Sequence, residues 1–318
     1  MPRPNLPKDL RLVYKISHLY YEQGVKEEAI ANQLYLSRAK VSRLLKYARQ
    51  SGLVKITVTS PPGIHTNLEE QIESKYGLEE VIVVEVEGSL TQDAITRAIG
   101  NAAARYLKET LQDGDRIGIS WGTNLNAMVA ALQPMNSKDC KVLQIIGGLG
   151  PPMSEVHATE LCRRMSGALN CGLILLPAPG IMSTRLAKEA LLSDPHIQRA
   201  LTLISKVNVA YVGIGSPTPN SVLLRDGSII SQSELNGLLD EGAVGDIALR
   251  FFNQNGAPIR SELDGRVIGI THEQIKKIKR VVGVSGGPGK PTAIRGALLG
   301  GYLKVLITDH KTAEALLQ

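Results

Sequence analysis

Ser37-Arg38-Ala39-Lys40-Val41-Ser42-Arg43-Leu44-Leu45-Lys46-Tyr47-Ala48-Arg49-Gln50 decides how the N-terminal end folds. Val41, Leu44, Leu45 and Ala48 recur at intervals of three and four, giving one apolar face, so the stretch predicts a helix over about 38–51. Ser37 suits its N-cap, because a hydroxyl can accept an N–H that the helix start leaves unpaired. Gly52 ends it. Working outward, Ile30, Ala31 and Leu34 mark a short helix over about 26–34, with Glu27 and Glu28 at its positive end. Tyr35-Leu36 is a tight connection between the two. Leu12, Ile16, Leu19 and Tyr20 predict an earlier helix over about 9–23, stopped by Gly24. Leu53-Val54-Lys55-Ile56-Thr57-Val58 reads as a strand. The result is a small, all-α, winged helix-turn-helix layout.

Charge supports a nucleic-acid partner for this end. The chain carries 36 Lys/Arg against 30 Asp/Glu, a net charge of +6. Residues 1–60 hold eleven of the cations and four of the acids, whereas the rest of the chain is close to neutral. A basic end on a neutral body is the electrostatic footprint of nucleic-acid binding, and a merely solvated basic tail is the alternative. In a helix-turn-helix the second helix of the motif enters the major groove with its N-terminal residues on base edges. Ser37, Arg38, Lys40, Ser42 and Arg43 are therefore the candidates for reading double-stranded operator DNA. Arginine suits the task because its planar fork can donate two hydrogen bonds to guanine. Lys46, further along, suits a phosphate.

Ser60-Pro61-Pro62-Gly63 breaks every regular pattern, which sets two domains, 1–60 and 61–318. The helix predicted over about 66–76 fits three roles: a connector, a pairing element with a second subunit, or the first packed helix of the second domain. Beyond residue 80, short apolar runs alternate with helical stretches. The strands expected are Val81–Val86, Arg116–Ser120, Lys141–Ile146, Gly172–Leu176, Val209–Gly213, Arg280–Val284 and Lys304–Thr308. The helices between them fall at about 91–111, 123–132, 155–169, 183–204 and 291–299. This alternation implies an α/β domain with a mostly parallel sheet covered on both faces. The stretch 218–270 is less regular and has room for a hairpin or small insertion.

Several functions are excluded. No leader and no apolar run long enough to span a bilayer is visible, so a soluble cytoplasmic protein is expected. The three cysteines show no paired spacing and fit reduced thiols. The six histidines are scattered away from metal-ligand spacing, and no nucleophile motif is present, so neither metal, cofactor nor enzymatic activity is expected. The rival reading is a sugar-phosphate isomerase or lyase, for which Asp246 and His157 would supply the acid and base.

Glycine-rich strand-to-helix turns are the candidate ligand contacts. Gly122-Thr123-Asn124 opens a helix, where backbone N–H groups can approach an anion closely. A tight turn capped by Thr123 is the alternative. Gly286-Gly287-Pro288-Gly289-Lys290 also follows a strand and precedes a helix. It is not a nucleotide-binding P-loop, because Val284 stands where that motif needs glycine and Pro291 where it needs Ser or Thr. Lys290 fits a point charge for one phosphate, or a surface lysine beside a turn. Asp246 fits an acceptor for sugar hydroxyls or the cap of a local turn. Gly147 and Gly148 offer another pocket edge, and His157 and Thr159 are weaker candidates.

The run 36–45, closing in Gly52-Leu53-Val54, resembles the DNA-binding end of the SorC-type sugar-binding transcriptional regulators. The resemblance continues through Gly118–Thr123, Leu176–Pro179, Gly213–Pro217, Gly242–Asp246, Gly286-Gly287 with Lys290, Ala293–Arg295 and Leu306–Asp309. It covers essentially the whole chain in order. It implies an effector domain folded like sugar-phosphate isomerases and CoA transferases, assembly into dimers or tetramers, and a sugar or sugar-phosphate effector. Regulators of sorbose, deoxyribonucleoside and central glycolytic genes belong to that family. It also implies that the Gly122 loop touches phosphate or sugar. Some members carry a basic residue near position 146, including a lysine that bonds covalently to an aldehyde sugar. Ile146 can do neither.

Overall fold

A computed structural model describes residues 10–56, 65–86, 91–148, 158–218 and 229–318. The chain divides into two compact units between Ser60 and Pro61.

The first unit is built from α1 (Leu10–Ser17), α2 (Glu27–Gln33) and α3 (Arg38–Gln50). α1 runs on through a π-turn, His18–Glu22, so the predicted first helix spans nearly its expected length with a widened last turn. Ile16, Leu19, Ile30, Ala31, Val41 and Leu45 make the core. Tyr20 does not join them and is 37% exposed. Ser37 caps α3 by accepting the Lys40 N–H at 3.3 Å. Residues 53–56 are not a strand. Instead the Val54 N–H closes the end of α3 on the Ala48 carbonyl at 3.0 Å. An apolar run becomes a strand only with a neighbour to pair with, and residues 57–58 of the expected strand lie outside the described residues.

The second unit is a seven-stranded parallel sheet in the order β1-β9-β8-β5-β2-β3-β4. In chain order it comprises α4 (Thr66–Tyr76), β1 (Glu80–Val84), α5 (Gln92–Thr110), β2 (Arg116–Ile119), α6 (Thr123–Ala131), β3 (Lys141–Gln144), α7 (Ala158–Leu169), β4 (Gly172–Ile174), α8 (Arg185–Leu192), α9 (Pro195–Ile204), β5 (Val209–Val212), α10 (Gln232–Asp240), β6 (Ala243–Ile247), β7 (Arg250–Asn253), α11 (His272–Lys277), β8 (Arg280–Val284), α12 (Pro291–Leu299), β9 (Val305–Asp309) and α13 (His310–Leu317). All seven predicted strands are present in the sheet. Central β5 is buried at every residue, which is why it reads as an unbroken apolar run. A separate hydrophobic cluster packs on each face of the sheet.

Helix α4 packs within this unit. Ile72 is fully buried, and the Tyr76 hydroxyl donates to the Leu316 carbonyl at 2.7 Å. Its Glu73 and Glu69 carboxylates accept the Val81 and Val83 N–H groups, covering the open edge of β1. The predicted helix 183–204 is two helices. Pro195 has no N–H to continue the first, and Asp194 caps the second by accepting from His196 and Ile197. The irregular stretch contains the antiparallel β6–β7 hairpin, turning through Ala248 and Leu249 at positive φ. Among the described residues no helix is long and apolar enough to cross a membrane.

Candidate functional site

Strand order fixes where a ligand crevice must open. From β2 the chain moves to β3 on one side, and from β5 it moves to β8 on the other. The connections leaving β2 and β5 therefore part company, opening a crevice at the carboxyl ends of two adjacent strands. The loops there are Ser120–Gly122 and Gly213–Gly215, joined by Ser285–Lys290 from the end of β8.

Hydrogen bonds knit these three exits into one surface. The Gly213 N–H donates to Ser120 Oγ at 3.1 Å. Lys290 Nζ donates to the Ile214 carbonyl at 2.9 Å, and Ser285 Oγ donates to the same oxygen at 3.4 Å. Ser216 Oγ reaches the Gly289 carbonyl at 3.1 Å. Asn124, in the first turn of α6, donates from Nδ2 to the Val284 carbonyl at 3.4 Å. Its Oδ1 is buried without a partner. A buried acceptor left unpaired costs roughly 1–3 kcal/mol, so this atom is poised to accept from a ligand.

Gly122 precedes α6 at φ +128°, and a side chain there would meet open space. It is backbone conformation rather than crowding that calls for glycine. The first N–H groups of α6 have no intrahelical acceptor and face an open approach. Thr123 is exposed beside them.

Asp246 reaches the crevice from the hairpin, through a bridge between its own backbone and that of Gly215. A Cβ on Gly215 would sit inside the carboxylate, so glycine is required for the approach. Asp246 Oδ2 accepts the Leu249 N–H at 3.0 Å and so holds the hairpin turn. Burial pushes the Asp246 carboxyl up to about 6, against the Leu249 N–H and the Lys290 charge, which lower it. Burial lowers the Lys290 ammonium, and Asp246 opposes that. The crevice thus pairs one half-desolvated cation with one buried, readily protonated acid.

Not every candidate is available. The Gly147 N–H donates to Ile268 O at 3.0 Å and the Gly148 N–H to Ala178 O at 2.8 Å, so neither is free to cradle an anion. A Cβ at Gly147 would strike the Pro179 and Ala178 carbonyls, so this glycine serves packing. The Gly287 N–H is likewise taken by Asp309 Oδ2 and Thr312 Oγ1. Thr159 Oγ1 donates to Gln144 Oε1 at 3.4 Å, at the exit of β3. His157 lies outside the described residues. Ile146 is fully buried and bridged to Gly269, a core residue. Ser120 and Ile214 lie inside runs that carry the family resemblance without being named as contacts, and Ser285 lies in none; what marks all three is position, one or two residues past a strand end.

In the first unit, Ser37, Arg38, Lys40, Ser42, Arg43 and Lys46 are all exposed along α3, opposite Val41, Leu45 and Ala48. Arg38 Nε is 3.9 Å from Glu27 Oε2, a surface contact worth little in competition with DNA. One helix face therefore presents a continuous basic strip backed by a fixed core.

Residues 61–318 match the family described as "Putative sugar-binding domain". The chain is 34% identical to the deoxyribonucleoside regulator of Bacillus subtilis, over 96% of this chain and 97% of that one. It is 31% identical to the sorbitol operon regulator of Klebsiella pneumoniae, over 98% of each. The crystal structure of that full-length regulator, SorC, superposes with a TM-score of 0.75 at 30% identity, covering 98% of this chain and all of the other. These relatives are named as transcriptional regulators and not as enzymes. The chain belongs to this family of transcriptional regulators with a sugar-binding domain.

Proposed function

We propose that the crevice holds a phosphorylated sugar and that its occupancy controls binding of α3 to operator DNA. The observation that carries the reading is the meeting of an open helix start, Lys290 and Asp246 at one strand-order switch. The α6 N–H groups and Lys290 match a phosphate. Asp246 and the unpaired Asn124 Oδ1 match sugar hydroxyls. In the first unit, Arg38 and Arg43 suit base edges, with Ser37, Lys40, Ser42 and Lys46 on bases or backbone.

The effector acts through unequal affinity for two arrangements of a dimer or tetramer, which alters the spacing of paired α3 helices on DNA. Such a regulator works in the cytoplasm. A thermal-shift screen of pentose and hexose phosphates tests the effector half. A stabilising compound that is not turned over, and whose effect disappears in Lys290→Ala, is the expected result. Turnover of any of them, or stabilisation indifferent to Lys290, would sink the reading.

A further inference from the structure

A second cavity, of about 310 Å³, lies apart from the crevice. Its wall includes Arg185 and Lys188 of α8, Arg250 of β7, Arg260, Asp264 and His272. Hairpin register separates the two places. Asp246 lies opposite Phe251, and Ile247 lies opposite Arg250. Neighbours along a strand face opposite sides, so Asp246 and Arg250 leave the hairpin on opposite faces.

The buried part of this cavity is built rather than incidental. The Arg250 side chain is 7% exposed and donates from Nη1 to Asp264 Oδ1 at 2.7 Å and from Nε to the Ile270 carbonyl at 2.9 Å. Arg250 and Asp264 thus neutralise one another. Three more cations surround them. Among the described residues, no carboxylate comes within ion-pairing distance of Arg185, Lys188 or Arg260. Arg185 is folded inward: a Cβ on Gly265 would lie 3.1 Å from its Nη2. Burial, and then the Arg250 charge, hold the Lys188 ammonium below its usual range. Glu189 and Glu273 also line the wall, leaving an excess of one positive charge.

His272 supplies the independent sign of a ligand. It lines the same cavity, is 7% exposed, and its Nε2 is buried without a hydrogen-bond partner. Burial, then the Arg250 charge, hold this imidazole down to about 4, so the ring is neutral near pH 7. A neutral ring can present Nε2 as donor or acceptor according to its tautomer. Two unpaired guanidinium forks beside an ammonium and a dry imidazole are the chemistry that recognises planar or tetrahedral oxyanions.

We propose that this cavity is a second ligand site, taking a small multiply charged anion that bears phosphate or carboxylate groups. Arg185 and Arg260 clamp it at the mouth, Lys188 adds a point charge, and His272 meets an oxygen at the floor. The inference is independent of the sugar-phosphate reading, since the crevice contributes no residue to it.

Isothermal titration of the full chain with inorganic pyrophosphate, and separately with citrate, at low ionic strength tests the site. The expected result is one saturable event per chain with at least one anion. That event persists within about twofold in Lys290→Met and weakens about tenfold or more in Arg185→Gln/Arg260→Gln, roughly the loss of one charge-assisted bond. Both arginines are exposed, so the double variant should keep the wild-type melting temperature. Lys188→Gln alone gives an independent, smaller weakening. Pyrophosphate alone titrating assigns phosphate chemistry, and citrate alone assigns carboxylate chemistry. No heat with either anion overturns the proposal. So does an event lost in Lys290→Met but intact in the arginine double variant, which would place the anion in the crevice.

Discussion

Asp246 is an acid whose burial makes its ionisation costly. Its native carboxyl titrates at about 6, against 3.8 for an ordinary aspartate. The folded chain therefore holds this proton more tightly than the unfolded chain does. Stability from this group falls as pH rises from about 4 to about 6 and stays lost above that. At about 1.4 kcal/mol per pKa unit, the loss is on the order of 3 kcal/mol. Asp246→Asn, which can still accept the Leu249 N–H, should raise stability in urea at about pH 8 by up to that amount and leave it unchanged near pH 4. An equal gain at both pH values would contradict this origin. The same change should weaken effector binding, because ionised Asp246 is the better acceptor. Tyr35 and Leu249 make a second contrast. Both hold positive φ, at 54° and 60°. Leu249 is fully buried, and burying a leucine contributes about 1.5–3 kcal/mol, which offsets the strain. Tyr35 is 97% exposed and has no such return. Tyr35→Gly is thus expected to raise the melting temperature, by up to about 1 kcal/mol of stability, whereas Leu249→Gly lowers it.

At the scale of elements, the crevice depends on how α6 begins. Gly122→Val forces a β-branched residue to φ +128° with no steric conflict nearby, so the cost falls on the loop conformation. Effector affinity should fall about tenfold or more while far-UV circular dichroism stays native. The strands were legible because a parallel strand buried on both sides is a contiguous apolar run, as in Val209–Val212. The Ser37 cap and the α3 pattern were legible for the same local reason. Other features turn on partners distant in sequence. The residues 53–56 have a strand's composition, but among the described residues no neighbouring strand pairs with them. Gly147 is expected at a pocket edge, and its need for glycine comes from the Pro179 and Ala178 backbone, a partner the sequence does not show. Local signals were also overlooked. Ser231 with Glu234 and Thr271 with Gln274 form capping boxes at the starts of α10 and α11, and Asp309 caps α13. By sequence Asp246 fits two roles, the cap of a local turn and an acceptor for sugar hydroxyls. Its Oδ2 holds the turn through the Leu249 N–H, and its Oδ1 lies beside Gly215, so the two roles fall to different oxygens of one carboxylate.

At the scale of the whole molecule, the proposed function divides between the two units. The first carries the basic α3 face, and the second carries the crevice at the β2–β5 switch. Substitutions should divide the same way. Arg43→Ala should cost about 1–3 kcal/mol of operator affinity and leave effector binding intact. Lys290→Ala should cost about 1.5–3 kcal/mol of effector affinity and leave DNA binding without effector intact. On the proposed function, occupancy of the crevice changes the hold of α3 on DNA. Fluorescence anisotropy tests it most directly. A labelled fragment from the DNA upstream of the chain's own gene is titrated with wild type, Arg43→Ala and Lys290→Ala, with and without a panel of pentose and hexose phosphates. At least one sugar phosphate should shift the wild-type Kd about fivefold or more, Lys290→Ala should bind the fragment but ignore the compound, and Arg43→Ala should bind weakly throughout. A Kd that no sugar phosphate moves, or a shift that survives in Lys290→Ala, would contradict it.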